Sequence, residues 1–179
     1  MAKPERLYTL EVELIRGPVT EMFASENPIV SRTLQILGSQ SLDDLHDAIF
    51  DAFERADDHL YEFRLAEHPD DVEAVLYVVP EEADGHPDHT LGGTTECTID
   101  ELGLAPEDVL FYWFDFGDDW WHRITVETIA DEAPAGDYPC EIDRVGASPP
   151  QYPSPEGGED WDGEGWPDEY ADDEDEEPF

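Results

Sequence analysis

Lysine is all but missing from this chain of 179 residues: Lys3 and seven arginines are its only cations, against 48 Asp and Glu, for a formal net charge of −40. Such a surface repels phosphate backbones and anionic lipid, so neither direct nucleic-acid binding nor membrane association is expected. Cysteine is scarce too. Cys97 and Cys140 lie 43 positions apart without a CxxC pair, which excludes a disulfide framework and a four-cysteine zinc site and leaves reduced thiols as the expectation. No run approaches the roughly 20 apolar residues of a membrane span, and the opening MAKPERLYTLEVEL has no apolar stretch of signal length. A cytoplasmic location follows as the expectation. Gly-rich phosphate loop, nucleophile elbow, HExxH and helix-turn-helix patterns are all missing.

Apolar residues are not missing: 39% of the chain is hydrophobic, with five Trp, seven Tyr and eight Phe, enough to build a core despite the charge. The length fits one domain, expected over 1–150, followed by an acidic tail at 151–179. The acidity is not confined to the tail. Residues 131–179 hold 18 acids and Arg144 alone as base, which leaves 30 acids and seven bases, net −23, on 1–130. Charge repulsion on that scale is relieved when screening shortens to about 3 Å at 1 M salt. The composition therefore fits a salt-accumulating, halophilic cytoplasm.

Alternation of Tyr8, Leu10, Val12 and Leu14 with Thr9, Glu11 and Glu13 predicts a strand with one buried face at 7–14. The β-branched stretch 29–37 predicts a second, ended by Gly38. Ser41 and Asp44 have capping-box spacing, and Leu42, Leu45, Ile49, Ala52 and Phe53 recur at helical spacing, so one long helix is expected at 41–55. His46 flanks its stripe as a core-edge histidine. Further strands are expected at 59–65, 72–79, 109–116 and 120–128, with 80–97 a loop and Thr98–Glu101 a capped helical turn closed by Gly103. The Pro-rich stretch from Asp131 onward predicts no element. Its end, with Trp161, Trp166, Tyr170 and Phe179 among acids, reads either as a disordered interaction segment or as a tail whose aromatics fold back.

Three blocks, SLDDLHDAIFDAFERADDHLYEF at 41–63, YWFDFGDDWWHRITVE at 112–127 and GASPP at 146–150, resemble the plasmid open-reading-frame-three-like family, also labelled an insertion-element passenger or resolvase-like protein. The second block, with Asp115 to Trp120 followed by His122, is the most specific. The resemblance implies an α+β fold, a small mixed sheet crossed by one helix in a β-grasp-like manner. It implies no assigned activity. The family's Ala-Cys-Pro-Pro segment reads Ala147-Ser148-Pro149-Pro150 here, with no cysteine after it. Arg55-Ala56 and Val30-Ser31 stand where relatives carry tryptophan. The resolvase-like label gains no support, since no basic arm or suitably placed serine is evident.

The candidate site combines His59, beside Asp58, with Asp115, Asp118, Asp119, Trp120 and His122 of the hairpin. If the two strands are neighbours, His59, Asp115 and His122 could offer nitrogen and carboxylate ligands to a divalent metal. The alternative is that Gly117-Asp118-Asp119 only closes a turn and the histidines bond backbone, and turn chemistry suffices to explain the motif. A second cluster, His86, His89 and Cys97, lies in the Gly/Pro-rich loop and reads as an exposed insertion. Two functions compete: a noncatalytic protein-interaction or accessory domain without resident cofactor, using an aromatic surface around Trp113, Trp120 and Trp121 or the acidic tail, and a metal-dependent hydrolase or nuclease-like enzyme using the His/Asp cluster.

Overall fold

The computed structural model describes residues 3–85 and 90–153. His86 and His89 of the second cluster, and the tail from 154 onward, lie outside them. The chain runs β1 (Leu7–Arg16), α1 (Glu21–Glu26), β2 (Ser31–Leu37), α2 (Leu42–Ala52), β3 (Tyr61–Leu65), β4 (Val75–Val78), a 3-10 turn (Pro80–Gly85), β5 (Leu91–Thr94), a second 3-10 turn (Asp100–Leu102), β6 (Val109–Phe114), β7 (Trp120–Ala130) and β8 (Cys140–Val145). It is an α+β fold. The strands form one sheet in the order β5-β4-β3-β6-β7-β1-β2-β8, antiparallel throughout except for the parallel β4–β5 pair.

The period-2 pattern assigns the two faces. Tyr8, Leu10, Val12, Phe63, Tyr112, Phe114, Trp120, His122 and Ile124 project toward α2 and are buried with its Leu42, Leu45, His46 and Ile49. Phe111, Trp113, Trp121 and Arg123 project to the opposite, outer face, where Trp113 pairs with Trp121 and Phe111 with Arg123 across β6–β7. Since α2 covers only the first face, part of the second is covered by the 66–74 loop, where Arg64 Nη1 donates to the Pro69 carbonyl and Arg16 meets Asp70 at 3.1 Å, while Trp113 and Arg123 stay half-buried.

α2 starts where the sequence predicts. Ser41 Oγ accepts from Asp44 N–H and the Asp44 carboxylate accepts from Ser41 N–H, satisfying two of the helix's free donors. It ends earlier than 55, because Glu54 takes the left-handed φ of 55° and lets Arg55 N–H donate to the Phe50 carbonyl at 3.0 Å. That six-to-one closure normally uses glycine. Its effect is to turn Arg55 back toward the core.

Strand ends differ from expectation by a few residues. β3 and β4 are shorter than 59–65 and 72–79, so His59 precedes its strand and Val72 is exposed. Three elements escaped the sequence pattern. α1 has six residues and none buried. β5 carries Gly92, where a Cβ would sit 2.5 Å from Val75 Cγ1, so close packing against β4 selects glycine over any strand former. β8 is an edge strand whose side chains are half-buried or exposed, hydrogen-bonded to β2, and an edge of that kind leaves no apolar period to read.

Candidate functional site

The β6–β7 turn is built by Asp115, whose φ of 58° suits Asp better than most residues. Its Oδ1 accepts from Gly117 and Asp118 N–H at 3.1 and 3.2 Å, and Asp119 N–H donates to its carbonyl at 2.7 Å. Asp119, also left-handed, accepts from Trp113 Nε1–H at 2.8 Å. Asp118 is partly buried; desolvation first, then the neighbouring Asp115, raises its carboxyl pKa. Turn closure thus employs the backbone and one carboxylate oxygen of the motif.

The other oxygen of Asp115 faces His59: Oδ2 lies 3.4 Å from Nε2, and the same Nε2 is 2.9 Å from the Tyr152 hydroxyl. His122 is placed elsewhere. It is fully buried, its Nδ1 3.3 Å from the Tyr112 carbonyl and its Nε2 3.3 Å from Arg55 Nη2. The carbonyl can only accept and the guanidinium can only donate, so Nδ1 carries the proton and Nε2 is bare. Burial, and then the Arg55 charge, hold its pKa well below the usual histidine value. Of the expected ligand set His59, Asp115 and His122, the fold therefore joins the first two and turns the third onto a guanidinium. Among the described residues no three His, Cys, Asp or Glu side chains converge on a point that could hold a metal ion.

A second buried network runs beside the first. His46, buried rather than at the core edge, stacks on Tyr61 with centroids 3.7 Å apart. Its Nε2–H donates to Asp58 Oδ1 at 3.1 Å, which leaves Nδ1 to accept from the Tyr112 hydroxyl at 2.7 Å. Asp58 thereby links His46 to His59, because the same oxygen accepts from His59 N–H at 3.0 Å. Desolvation lowers the His46 pKa against the opposing pull of Asp58. Tyr112 is the hinge of the two networks: its hydroxyl serves His46 and its carbonyl serves His122.

Sequence reasoning missed Arg55, Gln151 and Tyr152. Gln151 holds the loop after α2, with Oε1 accepting from Ala56 and Asp57 N–H at 2.8 and 3.0 Å and Nε2 donating to the Asp57 carbonyl at 2.7 Å. Arg55 lies with its guanidinium 4.1 Å from the Trp120 ring centroid, and desolvation lowers its pKa to about 10. Trp120 itself is fully buried against Gly17, where a Cβ would come within 2.3 Å of the indole. Cys97 is half-buried, its Sγ 3.5 Å from the Thr98 carbonyl.

These features define a small acidic α+β protein whose mixed sheet buries two histidine-centred polar networks beneath one hairpin turn. Residues 20–158 match the family model described as "Plasmid pRiA4b ORF-3-like protein", and the chain belongs to that family. It is also similar in fold to the crystal structure of a protein of unknown function from Methanosarcina mazei Go1, with 22% identity and a TM-score of 0.59 over 80% of this chain and 71% of that one. No curated protein matches the chain. Among the described residues no helix is long and apolar enough to cross a membrane.

Proposed function

We propose that the chain is a noncatalytic protein-interaction domain, adapted to high salt, whose contact surface is the outer face of the sheet around Trp113. One observation carries this reading. Trp113 and Trp121 stack at 4.9 Å and 11°, Phe116 packs on Trp113 at 4.3 Å, and Arg64 lies over both indoles at 5.2 and 5.1 Å. Tryptophan and arginine are the side chains that dominate binding hot spots, and here Trp113 stands half-buried on the outer face, backed by the buried Trp121. The helix crossing one face of a mixed sheet supports the β-grasp-like description.

Carboxylates border the patch. Glu13 pairs with Arg123, Asp119 holds the Trp113 indole, and Glu11 is crowded enough by burial, Glu127 and Glu13 that its pKa is raised. A partner with an apolar centre and a cationic rim fits that charge pattern. The test is a photo-crosslinking residue placed at 113 in living cells, with the exposed Glu96 position as control. One protein captured from 113, absent from 96 and lost on Trp121→Ala, is the expected result; identical adducts from both positions would remove the proposed surface. The high-salt component rests on the net charge of −40. Its check is the melting temperature in rising potassium chloride, which should climb into the molar range; a flat profile would refute it.

A further inference from the structure

Arg55 is 8% exposed, in a chain with only eight cations. Its guanidinium lies among aromatic faces, 4.1 Å from the Trp120 centroid, 5.2 Å from Phe114 and 5.8 Å from Phe53. Nη2 donates to His122 Nε2, but among the described residues neither Nε nor Nη1 reaches an acceptor, and neither does the Trp120 indole N–H. The carboxylate whose field acts on Arg55 is Asp115. Its oxygens are already engaged by Gly117, Asp118 and His59.

A buried cation without a hydrogen-bonded counter-charge is an unfavourable arrangement, and here three atoms that can only donate lie buried together, two on a guanidinium placed over the ring that bears the third. The donor set selects its own ligand chemistry. A water would supply lone pairs but bring two protons of its own, and Phe53, Phe114 and Trp120 offer them only weak π faces once His122 Nε2 is taken. A compact anion accepts from every donor and gives none back. The acidity of the rest of the chain adds a second filter, since it opposes multivalent anions such as phosphate far more than a singly charged one.

We propose that Arg55 and Trp120 form a buried binding site for a small monovalent anion of chloride size. The site is independent of the outer-face reading. It lies on the α2 side of the sheet, and it binds more fully as halide concentration rises, by mass action.

Bromide reports on it directly. Crystals of the full chain in sodium bromide should show an anomalous peak within hydrogen-bonding distance of Arg55 Nε or Nη1, and Arg55→Met should abolish it. In solution, the excess chloride-35 linewidth of the wild-type protein should collapse in Arg55→Met. If that variant does not fold, Trp120→Phe keeps the ring and removes one donor, so halide binding should weaken by about tenfold, the loss of one charge-assisted hydrogen bond. A water in place of bromide, or unchanged chloride broadening in both variants, would overturn the proposal. So would bromide of equal strength at the half-buried Arg6 and the exposed Arg144, which would mark adventitious ion pairing only.

Discussion

Arg32 and Arg55 both lie over the Phe53 ring, at 5.0 and 5.8 Å, and both are buried, yet the fold supplies acceptors to only one of them. Arg32, fully buried, donates from Nε to the Ala52 carbonyl, from Nη1 to the Ser31, Val145 and Gly146 carbonyls, and from Nη2 to Ser148 Oγ. Those acceptors belong to the last turn of α2, the start of β2, the end of β8 and the 146–148 segment, so one side chain ties four pieces of chain together. It also faces the negative end of a helix. Arg55 has a single imidazole nitrogen. A buried cation surrounded by carbonyls is a fastener, whereas one surrounded by rings and donors is a site.

That contrast is broken most severely by substitution. Arg32→Met should lose roughly 3–5 kcal/mol, because several buried carbonyls lose a charged donor at once. Arg55→Met should lose less than about 1.5 kcal/mol, since removing an under-partnered buried charge also removes its desolvation penalty. Urea denaturation in sodium sulfate, which screens the chain's charge but supplies no halide to Arg55, measures both. Equal losses would mean that Arg55 is as well satisfied as Arg32.

His122 sharpens the comparison, because its bare Nε2 is the acceptor Arg55 does have. Its folded pKa is well below the ordinary value near 6.5. Stability from the neutral imidazole is therefore complete above about pH 6.5 and is lost as pH falls, when the unfolded chain takes up a proton that the native state refuses, at up to about 1.4 kcal/mol per pH unit. His46, also lowered, acts with the same sign, while the raised carboxyls of Glu11, Asp47 and Asp118 act oppositely at lower pH. His122→Gln should flatten the slope between pH 6.5 and 5 by about one proton's worth. An unchanged slope would show that His122 is protonated with Arg55 beside it.

The turn that aims Arg55 inward holds Glu54 at a φ of 55°, which a side chain resists by about 1 kcal/mol. Its ion pair with Arg144, at 3.7 Å and exposed on both partners, adds little. Glu54→Gly should therefore stabilise the protein by about 0.5–1 kcal/mol, read from the same denaturation curves.

How far these roles were legible follows from which signals sequence can carry. The capping box and apolar stripe announced α2, and the alternation of Trp120, His122, Ile124 and Val126 puts His122 on the core face, because both depend on local periodicity. The same alternation separates Trp120 from Trp113 and Trp121 onto opposite faces. Arg55 had no such signal: a cation just past an amphipathic helix reads as a solvated C-terminal charge, and only the scarcity of cations hinted at a buried role. His59 reached Asp115 as a pair, but the fate of His122 turned on Arg55, a long-range contact that no spacing encodes. α1, β5 and β8 stayed invisible because a strand packed through glycine, or one lying at an edge, has no buried stripe.

The smallest effect distinguishes a fastener built as one unit from one built of separate bonds. Ser148 Oγ accepts from Arg32 Nη2 at 2.9 Å, a side chain among acceptors that are, for the other described residues, backbone carbonyls. Ser148 is half-buried, so water can reach the freed N–H, and Ser148→Ala should lose about 0.5–1.5 kcal/mol, the ordinary range for one hydrogen bond. In an Arg32→Met background the same change should lose almost nothing, because its partner has gone. The double-mutant cycle would then return a coupling close to the whole single-mutant loss. Additive losses would mean that Ser148 acts through its own loop, at Gly146 and Pro149, and that Arg32 holds the 146–148 segment through its carbonyl contacts, beside the Ala147 N–H donated to Asn27 Oδ1.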